Sequence, residues 1–143
     1  MELREEFLRA YLGALTDLRV LTVGLSKIAS EEAAKAVLAA RGIAAEGPAA
    51  DALRKLYSLL GAEAEVSAGE HEVEVRVRHP CPLSWPGCEE LCPLPHISSV
   101  YLSALGRWYP KRVGMAFVEV AEGACRFTLV RVEGGEREGG DTG

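Results

Sequence analysis

Thiols set close together can hold a metal ion, join as disulfides or serve as small apolar groups. The stretch 79–96, HPCPLSWPGCEELCPLPH, gathers three of the four cysteines in this chain, so the choice among those chemistries governs most of what can be read from it. Cys81, Cys88 and Cys92 are spaced x6 and x3, and Cys125 follows in the last part of the sequence. Zinc is satisfied by four soft ligands in a tetrahedron, so Cys81, Cys88, Cys92 and Cys125 would make a closed structural site with no position left for water. His79 and His96 are reserve ligands should Cys125 be buried elsewhere. Three other readings stand beside this one. Each cysteine, Cys125 beside Phe127 above all, can be an ordinary buried hydrophobe. Cys81 and Cys92 can pair as a disulfide. Cys92-Pro93 echoes iron–sulfur proteins, although the spacing departs from the ferredoxin patterns.

Competing catalytic chemistry finds little to stand on. No GxSxG, HExxH, P-loop or GxGxxG occurs. Cys92 with His96 could form a thiol–imidazole pair, but no third group orients it. His71 is expected to be exposed, and Trp85, Trp108 and Tyr109 to be packing anchors. Glu89-Glu90 reads as a solvated helix face.

The elements that must position the thiols follow from periodicity. From Glu2 to about Ile28, Leu3, Phe7, Tyr11, Ala14, Leu15, Leu18 and Leu21 recur three or four apart, which predicts an amphipathic helix with that face buried. Ser30 ahead of Glu31-Glu32 predicts an N-cap for a second helix ending at Gly42. Gly47-Pro48 opens a third, with Leu53, Leu56, Tyr57 and Leu60 inward and Gly61 at its end. The period then changes to two. Val73, Val75 and Val77 alternate with charged residues over 71–78, a half-buried antiparallel strand that would deliver Cys81 from its tip. Ser84-Trp85-Pro86 predicts a short helical turn placing Cys88 and Cys92 at i and i+4 on one face. Ile97, Val100, Tyr101, Ala104 and Leu105 mark a helix closing at Gly106. Val113 to Val120 reads as a central strand, paired across Glu122-Gly123 with a strand over Ala124 to Val132 that carries Cys125, Phe127 and Leu129 on one face. The fold class is α+β: N-terminal helices, then a small antiparallel sheet with an inserted helix and a cysteine-rich metal loop. Residues 1–132 are expected to form a single domain, and 133–143, EGGEREGGDTG, a disordered tail.

Composition narrows the function classes. A chain of 143 residues with 48% hydrophobic and 26% charged residues is ordinary for one globular domain. A formal net charge of -5 with scattered Lys and Arg argues against nucleic acid, whose phosphates require a basic face. No apolar run reaches about 18 residues, so no membrane span is expected. The opening MELREEF lacks the basic and apolar regions of a signal peptide, and the expected compartment is the cytoplasm, where clustered cysteines favour metal or catalysis over disulfides.

One further likeness rests on the order of these parts: Val77 to Cys81, then Cys88 and Cys92, a helix from Ile97 to Gly106, Val113 to Glu119, and Gly123-Ala124-Cys125-Arg126-Phe127. This order resembles the 4-vinyl reductase-type, or hydrocarbon-binding, domain, whose fold is similar to aromatic-sensing regulator domains and to subunits of the TRAPP tethering complex. The resemblance spans residues 10–132 in element order and is specific over 77–129. It implies that Cys81, Cys92 and Cys125 occupy the family's cysteine positions, while Cys88 stands in for a cysteine absent after Glu119. It further implies a structural zinc bracing a site for a small apolar or aromatic ligand, a sensor without its own catalysis that reports to a downstream protein, and a homodimer. The alternatives are a small metal- or thiol-dependent hydrolase or reductase of aromatic substrates, and a dimeric interaction subunit.

Overall fold

Val73, Val75 and Val77 all point inward from one strand, and the rest of the fold is arranged to cover them. The computed structural model describes residues 3–114 and 116–132, with only the backbone described at residues 3–7 and Glu90. The expected tail at 133–143 lies outside the described residues, as do the side chains of Leu3 and Phe7. In chain order the elements are helices α1 (Leu3–Asp17), α2 (Val23–Arg41) and α3 (Ala49–Leu60), strands β1 (Ala64–Ala68) and β2 (Glu72–Arg78), helix α4 (Leu94–Leu102), then β3 (Arg107–Pro110), β4 (Glu119–Ala121) and β5 (Ala124–Val132). The class is α+β, helices first and an antiparallel sheet after them with a helix inserted.

The sheet runs β1-β2-β5-β3, with β4 also paired to β5. The β2–β5 register sets Val77 against Cys125, Val75 against Phe127 and Val73 against Leu129, so one continuous apolar face results. α3 packs against β1 and α4 against β3 and β5. Leu53, Leu56 and Tyr57 of α3 and Leu94, Tyr101 and Leu102 of α4 meet the inward valines and Phe127 and Leu129 in one core. Tyr57 brings its hydroxyl with it. The oxygen lies 2.7 Å from Ser98 Oγ, and Ser98 donates to the Leu94 carbonyl at 2.7 Å, so the buried polar atoms are partnered. The opposite face of the sheet is charged, with Arg126 placed 2.7 Å from Glu119 and 3.4 Å from Glu74.

Several boundaries differ from the sequence expectations, each for a local reason. The first helix does not reach Ile28: it ends at Asp17, Arg19 turns to φ 62°, and Thr22 caps α2 by accepting from the Leu25 amide at 3.2 Å. Ser30, expected as a cap, is instead buried in the middle of α2. The face of α1 expected to be buried is largely open, with Tyr11 62% and Leu18 72% exposed. β1 was not foreseen, because AEVSA carries a single large apolar residue, Val66. Pro93 and Pro95 stand at the start of α4, where proline suits the first turn of a helix. Val113 to Val120 is not a central strand. Gly114 turns at φ 62°, Val113 bridges back to Ala116, and only Glu119–Ala121 pairs with β5. β3, centred on Trp108, takes the remaining edge of β5. The turn at Glu122-Gly123 does form, with both residues at positive φ as a two-residue type I′ turn requires. Tyr109, read as a packing anchor, is half exposed, whereas Trp85 and Trp108 are buried.

Candidate metal centre

β2 ends at Arg78, and the chain turns through a cis His79-Pro80 bond before Cys81 enters the core. The segment that follows is a run of tight turns, the Ser84 amide donating to the Cys81 carbonyl at 3.1 Å and the Cys88 amide to the Trp85 carbonyl at 3.0 Å. Cys88–Glu90 is one 3-10 turn, entered through Gly87 at φ 85°. The expected α-helical i, i+4 stacking of Cys88 and Cys92 therefore does not occur. Proline on both sides and the left-handed glycine shorten the turn, and Cys92 sits just before α4 instead.

Despite that local difference, all four cysteines come together. Cys81, Cys88, Cys92 and Cys125 line one small enclosed cavity of about 20 Å³, together with His79, Leu83, Leu94 and Phe127. Cys81 arrives from the end of β2, Cys88 and Cys92 from the proline-rich segment, and Cys125 from β5, where it pairs with Val77. All four are free thiols. The Cys81–Cys92 disulfide is thus not formed. His79 Nε2 lies 3.0 Å from Cys125 Sγ, within hydrogen-bonding reach. His96, the other reserve ligand, is elsewhere. It is buried against Phe117, ring edge to ring face at 4.8 Å, and its Nδ1 has no hydrogen-bond partner among the described residues. Burial holds its imidazole down to about 4.

The electrostatics of the thiols follow from enclosure. Burial, then the neighbouring cysteines, pushes the Cys92 thiol up to about 12, and burial with Cys88 and Cys81 nearby pushes Cys125 up to about 11. Cys88 is raised as well, mainly by burial. That is the reverse of what an activated nucleophile needs. Taking a cation here would release the thiol protons, so affinity must rise with pH.

Whether these residues fit a metal is a question of kind, place and spacing. The donors are of the right kind, four sulfurs with one imidazole beside them, and a cavity of about 20 Å³ has room for one small occupant. The spacing is not yet that of a coordination shell. Among the described residues no group of three or more His, Cys, Asp or Glu side chains is arranged to hold a metal ion. Closing onto one ion therefore requires the sulfurs to draw inward from where they stand, Cys81 within the packed core, Cys92 and Cys125 against it.

Two other features bear on function. A concavity of about 890 Å³ opens at the end of α3, bordered by Arg54, Glu63, Glu65, Arg76, Arg78 and Glu122, and its lining is of mixed charge. Between α3, α4 and the sheet, Leu53, Leu56, Tyr57, Val75 and Leu129 fill the space. The ties between α1 and the cysteine segment had no signal in the sequence, because Arg9 and Ser84 stand 75 residues apart. Comparison with known proteins returns no matching family model, no matching curated protein and no matching solved structure.

Proposed function

We propose that this chain is a binding module of the hydrocarbon-binding type, braced by a structural zinc ion and without catalysis of its own. The observation that carries the reading is the convergence of Cys81, Cys88, Cys92 and Cys125, from three separate segments, on one small cavity. Zinc held by four thiolates would supply a crosslink joining the tip of β2, the proline-rich segment and β5, and would keep no position open for activating water. His79 would then sit beside Cys125 as a hydrogen-bond donor to its sulfur.

The metal half of the reading has more support than the guest half. A small apolar or aromatic ligand would have to part α3 from the sheet, because the side chains there already fill the interior. The thiol-enzyme alternative is weakened by the upward push on Cys92 and Cys125. A dimeric interaction subunit is favoured by a separate observation: Leu8, Tyr11 and Leu18 on and just after α1, with Leu25, Ile28 and Val37 on α2, are all exposed.

The test is elemental analysis of the full chain alongside native mass spectrometry. One zinc per chain is expected, lost when Cys92→Ser is introduced, and iron in its place would point to a cluster. A metal-free chain whose four thiols all react at once would end the proposal. Native mass spectra also report a retained guest and the number of copies in the assembly.

A further inference from the structure

Helix α2 turns small residues inward and larger apolar ones to water. Ser26, Ser30 and Ala34 are buried, and Ser26 donates to the Leu91 carbonyl at 2.6 Å, just ahead of α4. On the other side Leu25 is 52% and Ile28 58% exposed. A helix that only had to cover a core would be patterned the other way round. The exposed row continues through Glu32, Lys35 and Ala39 to Gly42, which caps the helix. Its steps are three, four, three, four and three residues, so these positions follow one seam of the kind that two packed helices share. Within the chain Glu32 and Lys35 pair loosely, with Nζ 3.6 Å from the carboxylate and both side chains largely in solvent.

This seam is complementary to its own reverse. Laid antiparallel against itself about a midpoint level with Ala33 and Ala34, it sets Leu25 on Gly42 of a second copy, Ile28 on Ala39 and Glu32 on Lys35, each twice by symmetry. Every large apolar side chain then meets a position with little or no side chain, and every carboxylate meets an ammonium. A parallel arrangement would put Glu32 on Glu32 and Lys35 on Lys35. We propose that α2 pairs antiparallel with α2 of a second copy of this chain, in the register that joins Glu32 to Lys35. The inference rests on the dimeric alternative raised above and not on zinc; it supplies that alternative with its interface and its alignment. Two helices of 19 residues touch over about 28 Å, less than a standard interface offers, so the dimer exchanges readily.

Sedimentation equilibrium of the full chain, up to about 500 µM so that weak association registers, is the first measurement. A concentration-dependent dimer is expected, and a monomer throughout overturns the inference. Glu32→Lys and Lys35→Glu should each raise the dimer dissociation constant about ten-fold or more, since each creates two like-charge contacts across the seam. Mixed in equal amounts, the two variants are expected to form a heterodimer, seen by native mass spectrometry, because each carries the charge that the other lacks. The double variant Glu32→Lys with Lys35→Glu should dimerise with itself as the wild type does. Loss of the intrachain pair cannot produce the mixed dimer, because both single variants lose it. A dimer indifferent to both reversals uses another face and overturns the inference, as does a mixture that stays monomeric. Metal content is expected to be the same in every variant, so failure here leaves the zinc reading standing, and a metal-free dimer leaves this one standing.

Discussion

The core under α3 and the segment under α1 are held together by different means. In the first, Leu53, Tyr57, Val73, Val75, Val77 and Leu129 are removed from water almost completely. Each such side chain contributes about 1.5–3 kcal/mol, so the region needs no crosslink. In the second, from His79 to Pro93 and across to Arg9 and Thr16, fewer side chains are buried (Cys81, Trp85 and Leu91), and prolines, tight turns and a few long-range hydrogen bonds add to them. Each of those bonds contributes about 0.5–1.5 kcal/mol net. The lesson is that apolar burial is dense in the sheet and its helices and sparser in the cysteine segment, and that is where a metal crosslink would matter most.

Substitutions can break this contrast in descending order of effect. Leu53→Ala, in a fully buried position, should lower the unfolding free energy by about 3 kcal/mol in urea titration and leave the metal content of the folded fraction unchanged. A loss under about 1 kcal/mol would mean the core is looser than its burial implies. If the chain holds zinc as proposed, removing it should act on the other region. Chelation of a sample held at a hundred times the dissociation constant should lower stability by about 2.7 kcal/mol, and Cys92→Ser should make the protein insensitive to added zinc.

A pH series sharpens the comparison, because His96 lies outside the cysteine cavity. Its folded imidazole is held near 4, against about 6.5 unfolded, so between those values the unfolded chain binds the proton and the folded one does not. Stability should therefore be full above pH 6.5 and fall, by on the order of 1 kcal/mol, as the pH drops toward 4. His96→Leu should flatten that part of the profile, and an unchanged profile would show that His96 takes its proton in the folded state too. The smallest effect is expected at the exposed cap of α2, where Thr22→Ala should cost about 0.5 kcal/mol by thermal unfolding.

What the sequence determined by itself was whatever depends on short-range pattern. The alternation Val73-Val75-Val77, the spacing of Leu53, Leu56 and Tyr57, the stop at Gly61 and the turn at Glu122-Gly123 were all legible, because period and backbone preference act within a few residues. The four cysteines were expected to meet around one ion; they line one cavity without the spacing of a coordination shell. An α-helical turn was expected to align Cys88 with Cys92, whereas a 3-10 turn and a separate helix start leave the two unstacked at the edge of one cavity. Only the tertiary structure could decide that VGMAFVEV yields its place in the sheet to the strand around Trp108, that Tyr11 and Leu18 stay in water, and that Arg9 reaches Ser84. Those outcomes depend on which partner wins a limited edge of β5 or a single seat on a loop. Competition between distant segments leaves no periodic mark on either one.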